Sequence, residues 1–188
     1  MKKSYLKQSN LLFSIPAGPK VPDKIHCLIE IPKGTSNKYE YRKDWGVFFL
    51  DRILYGAVFY PTDYGFIPGT WGKDDDPLDV MVVCSSPTFP GCLLEAKPIG
   101  ALEIIDSGEG DTKIIAVADD DPKSASIESL KDLHHLKKEI ENFWENYAEL
   151  QPKKKIKILG WKNTESAKNI INQAVKSFND KFKNDNNR

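Results

Sequence analysis

The hydrophobic pattern of the chain changes period at Asp121-Pro122, and this break limits the fold more than any other feature. Before it, apolar runs are short, rich in β-branched residues, and separated by proline and glycine at close intervals. Ile25–Ile31 reads as a strand ended by the turn Pro32-Lys33-Gly34, and Val47–Leu50, Val80–Cys84, Cys92–Ile105 in pieces and Thr112–Ala118 read as further strands. After it, Ile127, Leu130, Leu133, Leu136, Ile140, Phe143, Trp144 and Tyr147 recur at steps of three and four, which predicts an amphipathic helix ending before Pro152. A second helix is predicted from Thr164, with Ala167, Ile170, Ile171, Ala174, Val175 and Phe178 on one face. Many short strands followed by two packed helices imply an α+β domain whose strands form a small barrel or sandwich.

The 188 residues suffice for one domain with a core, and no repeat or long linker divides them, so 1–188 reads as a single domain. Residues 14–23, rich in proline and glycine, read as an irregular arm. Residues 1–13 are expected to be a mobile N-terminal arm and 183–188 a mobile polar tail. The 27 basic and 27 acidic side chains cancel, which counts against a general nucleic-acid binder. No apolar stretch reaches the roughly 18 residues of a membrane helix. The N-terminal run Leu11–Ile15 is shorter than the ~7–15 residues of a signal-peptide core. Three cysteines without a CxxC pattern read as reduced thiols. The expectation is a cytoplasmic protein with no membrane partner.

The segment Asp74-Asp75-Asp76-Pro77-Leu78-Asp79 carries the most chemistry. Pro77 keeps Asp76 out of the helical region, so the stretch is extended or turned and Asp74 and Asp76 can point the same way. Like charges ~4 Å apart repel by roughly 4 kcal/mol at an effective dielectric of 20, so converging carboxylates call for cations or raised pKa values. Oxygen donors without histidine or cysteine suit Mg²⁺, Mn²⁺ or Ca²⁺. The spacing is not that of an EF-hand, and a solvated acidic turn is the simpler alternative. Asp106 and Asp111 flank a second turn containing Ser107-Gly108-Glu109-Gly110, which places both carboxylates at one rim of a sheet, as in any hairpin of this kind. Upstream, Lys38, Glu40 and Arg42 share one strand face and Tyr39 and Tyr41 the other. Tyr60 and Tyr64 lie among prolines and glycines, where they pack or present hydroxyls to phosphate oxygens.

Taken in order, these segments resemble family I inorganic pyrophosphatases. The D-x-D-P-x-D loop is matched by Asp74–Asp79, and Ile29-Glu30-Ile31-Pro32, Lys38-Tyr39-Glu40, Leu50-Asp51-Arg52, Tyr60-Pro61, Tyr64-Gly65, Asp106, Asp111, Lys113, Tyr147 and Gly160-Trp161 fall in the family's order. The resemblance spans roughly residues 15–165. It implies a five-stranded OB-like closed β-barrel with two main flanking helices, a homo-hexamer, and hydrolysis of pyrophosphate to two phosphates with Mg²⁺ as cofactor. By the matched positions it implies Glu30, Asp74, Asp79, Asp106 and Asp111 as metal ligands and Asp76 as general base. Lys38, Arg52, Lys113, Tyr147 and Lys154 would bind phosphate, with Glu40, Tyr60 and Tyr64 in support.

Three positions depart from the family's common pattern. Asp75 stands where glycine is frequent, Asp63 where asparagine is, and Ala148 where many members carry lysine. The two aspartates are expected to add negative charge near the metals, and Lys153, Lys154 or Lys155 to compensate for Ala148. His134-His135 and Trp71, Trp144 and Trp161 read as surface and packing residues respectively. A phosphohydrolase or nuclease of another specificity, or a non-catalytic OB-like binding module, fits the same residues less well.

Overall fold

The computed structural model describes residues 10–182. The expected mobile tail, and positions 1–9 of the expected N-terminal arm, lie outside the described residues. The strands are β1 (Ile25–Ile31), β2 (Asn37–Arg42), β3 (Val47–Ile53), β4 (Asp63–Ile67), β5 (Leu78–Val83), β6 (Leu93–Asp106), β7 (Glu109–Ala118) and β8 (Ile156–Lys162). The helices are the short turn α1 (Leu11–Ser14), α2 (His134–Tyr147) and α3 (Thr164–Phe182).

Strand pairing runs β1-β4-β5-β7-β6, and β6 pairs back onto β1, so five strands close into a ring. β8 joins outside the ring along Ala101–Asp106 of β6. One strand serves three partners because β6 is 14 residues long and its register shifts between Pro98 and Gly100. Leu93–Ala96 pair with β1, Ala96–Asp106 with β7 and Ala101–Asp106 with β8. Two glycines permit close approaches. A Cβ at Gly65 of β4 would sit 2.0 Å from the Leu28 carbonyl oxygen, and one at Gly100 would meet Leu130 Cδ1 at 2.4 Å. The hairpin β2–β3 forms a separate two-stranded sheet.

Consecutive residues of β5 and β7 enter different clusters. Met81, Val83, Ile115 and Val117 pack with Ile140, Phe143, Trp144 and Tyr147 of α2. Val80, Val82, Ile114 and Ala116 pack with Ala167, Ile171 and Ala174 of α3. Burial on both faces explains why Val80–Cys84 reads as an unbroken apolar run instead of alternating.

The first long helix differs from its expected start at Ile127. The Asp132 carboxylate accepts from the backbone N–H groups of Glu128 and Ser129 and from the Ser129 hydroxyl (2.9–3.1 Å). This side chain closes a local turn in competition with the helical pattern, so α2 begins at His134. Ile127, Leu130 and Leu133 still reach the same apolar cluster from the turns. β4 also lies where no alternation signals a strand, and β8 is a further strand outside the expected set although Ile156, Lys157 and Ile158 alternate. All five residues of β4 are buried, and its apolar residues are interrupted by Gly65.

Candidate active site

The open end of the sheet holds a cleft of about 380 Å³, bordered by β1, the β2–β3 hairpin, the acidic loop, the β6–β7 turn and the C-terminal end of α2. Glu30, Asp74, Asp76, Asp79, Asp106 and Asp111 line it, facing Lys38, Glu40, Tyr60, Tyr64, Lys113, Tyr147 and Lys154. Of the residues predicted for the site, all but Arg52 form its wall. Arg52 stands just behind, opposite Lys38 in the hairpin register, and donates to the Tyr147 hydroxyl at 3.1 Å and to Asp51. Its Nε–H is buried without a hydrogen-bond partner among the described residues.

The carboxylates are held by distinct elements. Glu30, near the end of β1, accepts the Tyr41 backbone N–H at 2.6 Å. Burial, reinforced by Asp79, pushes its carboxyl up to about 8. Asp79 opens β5, beside Leu78, and accepts the Tyr64 hydroxyl at 2.7 Å. Asp111 faces it across the parallel β5–β7 pair, where Asp79 is in register with Lys113. The Lys113 side chain, 4% exposed, contacts both Asp79 and Asp111. Burial alone would lower its pKa, but the two carboxylates outweigh that and raise it. Burial and then Asp79 raise Asp74; burial also raises Asp111, in spite of Lys113. Lys154 contacts Asp106 at 2.7 Å and stands over the Tyr147 ring, 5.4 Å from its centroid. Ala148 itself is buried at the end of α2.

Several residues in or beside the cleft escaped the sequence reading. Lys43 lies beyond the last matched motif of β2, and its ammonium donates to Asp76 at 3.1 Å. Asp51 pairs with Lys38 at 3.5 Å and with Arg52. Its position inside Leu50-Asp51-Arg52 was the available signal. Trp144 carries Lys113 over its ring at 5.4 Å, so it serves the cleft as well as the core.

The expectation that Asp63 and Asp75 load the cleft with charge is not met. Asp63 is 0% exposed and accepts the backbone N–H groups of Lys33 (2.7 Å) and Thr88 (3.0 Å), which ties two loops together away from the cleft. Asp75 has φ 67°, the left-handed region, and its carboxylate turns away from the cleft toward Trp71 Nε1 (2.9 Å) and Lys181. His135 is exposed and pairs with Glu139 on its own helix, as expected of a surface residue.

The donors facing the cleft centre are oxygen only, with no histidine or cysteine. That set fits Mg²⁺. Among the described residues no three carboxylates converge tightly enough to enclose a cation unaided. Ions held here would share water and phosphate oxygens as ligands, as Mg²⁺ commonly does.

A closed five-stranded ring with a cleft at one rim that sets carboxylates against lysines defines a barrel protein with a compact, highly charged site. The profile of the family described as inorganic pyrophosphatase matches residues 27–179. The inorganic pyrophosphatase of Nostoc sp. is 49% identical over 168 residues, covering 89% of this chain and 98% of that protein. That of Picrophilus torridus is 42% identical over 173 residues, covering 92% and 97%. The crystal structure of inorganic pyrophosphatase from Thermus thermophilus superposes with a TM-score of 0.87 at 40% identity, covering 90% of this chain and 98% of that one. The chain belongs to the inorganic pyrophosphatase family.

Proposed function

We propose that this cleft hydrolyses inorganic pyrophosphate to two phosphates in a Mg²⁺-dependent reaction with Asp76 as general base. The observation that carries the reading is a cleft in which an oxygen-only carboxylate set faces Lys38, Tyr147 and Lys154, with Arg52 behind them, in a chain of this family. Pyrophosphate is small and highly charged, and a compact basic and acidic cleft suits it better than an extended polynucleotide.

Glu30, Asp74, Asp79, Asp106 and Asp111 would hold the Mg²⁺, which when bound screens the phosphate charge and lowers the pKa of a coordinated water. Asp76 lies between Asp74 and Asp79 in the chain, and its side chain is 64% exposed. It therefore meets water at the cleft and can take a proton from the attacking water at its carboxylate. Lys38 and Lys154 act as point charges on phosphate oxygens, and Arg52 with the Tyr147 hydroxyl adds a directed donor pair. Lys113 fixes Asp79 against Asp111, and Tyr64 orients Asp79 by its hydroxyl. The donors are set before substrate arrives, so they need not reorganise as charge develops on the leaving phosphate.

Phosphate release from pyrophosphate, with and without Mg²⁺, tests the reading. Release from ATP or a phosphomonoester with none from pyrophosphate would overturn it. We further infer that the chain acts as one domain, in the cytoplasm, as a homo-hexamer. Sedimentation equilibrium checks the last point.

A further inference from the structure

The acidic loop is lightly built. Its internal backbone support is the Gly72 N–H donating to the Asp76 carbonyl at 2.7 Å, with a longer contact of 3.4 Å from the Asp76 N–H to Asp74 Oδ1. Its middle residue, Asp75, adopts a left-handed backbone that a non-glycine residue enters only at some cost. Asp74 and Asp76 face the cleft while Asp75 faces away. In so short a loop these directions are linked. A peptide rotation that brought Asp75 inward would carry Asp76 outward.

The C-terminal helix holds Asp75 on the outer side. Lys181, in the last turn of α3, pairs with the Asp75 carboxylate, and its ammonium lies over the Trp71 ring at 4.5 Å from the centroid. Trp71 donates its indole N–H to the same carboxylate oxygen at 2.9 Å. The indole is itself seated on α3. Phe182 meets it edge-on at 4.8 Å, and the Trp71 backbone N–H donates to the Ala174 carbonyl at 2.9 Å. The opposite contact closes the arrangement: Lys43 stands 5.2 Å from the Trp71 centroid while donating to Asp76. One indole thus carries two ammonium groups, each bonded to one of two successive loop aspartates.

We propose that Lys181, acting with Trp71 on Asp75, is a positioning residue that latches the acidic loop so that Asp74 and Asp76 present their carboxylates to the cleft. The inference rests on the reading of Asp76 as general base and adds to it a residue more than 100 positions away in the chain. It also gives Asp75 a role that glycine could not fill, since glycine has no carboxylate for the latch to hold.

Exposed ion pairs and cation–π contacts each shift an equilibrium by up to about fivefold, so their joint removal is expected to be modest and measurable. The test uses the full chain with Lys181→Met, which keeps the aliphatic stem on Trp71, and Lys181→Arg, which keeps the charge. Amide hydrogen exchange at Gly72 in the absence of metal and substrate reads the loop directly. It is expected to quicken about three- to tenfold in Lys181→Met and to stay near wild type in Lys181→Arg. At saturating Mg²⁺, kcat should fall about three- to tenfold in Lys181→Met with KM for pyrophosphate nearly unchanged, because Lys181 touches no substrate. Unchanged Gly72 exchange in Lys181→Met, or equal losses in both variants, would overturn the latch. Retained turnover in Asp76→Asn alongside quickened exchange in Lys181→Met would support the latch and remove the base assignment instead.

Discussion

At the scale of single residues, the cleft is organised by pairs of opposite charge whose members come from different elements. Asp76 is the test of the chemistry. Asp76→Asn preserves the shape of the loop and removes the proton acceptor, so turnover should fall about 10²–10⁴-fold with the far-ultraviolet dichroism unchanged. Near-normal turnover would reject the base assignment. Lys113 is a test of the electrostatics. It is buried between Asp79 and Asp111, and removing it leaves two carboxylates facing each other. Breaking a fully buried pair costs about 3–5 kcal/mol. Asp79 and Asp111 are partly open to the cleft, so Lys113→Met should destabilise the metal-free protein by about 2 kcal/mol. Denaturant unfolding in a chelator measures this, and an unchanged midpoint would show that water screens the pair completely.

At the scale of elements, the site exists because strands of different partners end at one rim. Asp79 opens β5, Asp106 ends β6 and Asp111 lies near the start of β7, so register alone gathers them. Much of this was legible. The acidic loop before an apolar strand, the two aspartates flanking a glycine turn and the alternation of Lys38, Glu40 and Arg42 all follow from local periodicity and turn chemistry. What escaped depends on tertiary contact. β4 carries no alternation because both its faces are covered, and the start of α2 is displaced by the Asp132 side chain, whose competition with the helix periodicity does not register. The outward turn of Asp75 depends on Lys181, which no spacing rule links to it. Gly65 shows how closely the elements approach. A methyl there would lie 2.0 Å from the Leu28 carbonyl oxygen and 2.8 Å from Ile29 Cα, both backbone atoms that cannot rotate away. Gly65→Ala should therefore force β1 and β4 apart, at the upper end of the overpacking range, about 3 kcal/mol. Because β1 carries Glu30, metal affinity should weaken in the same variant. Calorimetric titration and denaturant unfolding read the two effects, and wild-type values for both would mean that the strands yield easily.

At the scale of the whole molecule, equal numbers of acidic and basic residues conceal an uneven arrangement that makes stability depend on pH in opposite senses. Several surface carboxylates sit below their usual range. Asp121, fixed first by the Ser124 hydroxyl and the Ser85 N–H, is lowered to about 2. The stability it contributes is present above the ordinary carboxylate value near 3.9 and is lost as pH falls through 2. The cleft behaves in the reverse way. Glu30 is raised to about 8 by burial, so the folded protein holds a proton there that the unfolded chain releases near pH 4.3. Between those values the folded state binds more protons than the unfolded one, and stability declines as pH rises. Asp74 and Asp111, also raised by burial, act in the same direction. The metal-free protein should consequently be most stable in weakly acidic solution and soften toward pH 8. Glu30→Gln, which keeps the shape of the side chain and cannot ionise, should lose most of that slope while retaining the acid limb set by residues such as Asp121. Thermal midpoints measured in chelator from pH 4.5 to 8.5 decide the point. Parallel curves for wild type and Glu30→Gln would place the proton elsewhere, whereas curves that converge at low pH and separate toward pH 8 would assign the alkaline loss to this carboxyl at the floor of the cleft.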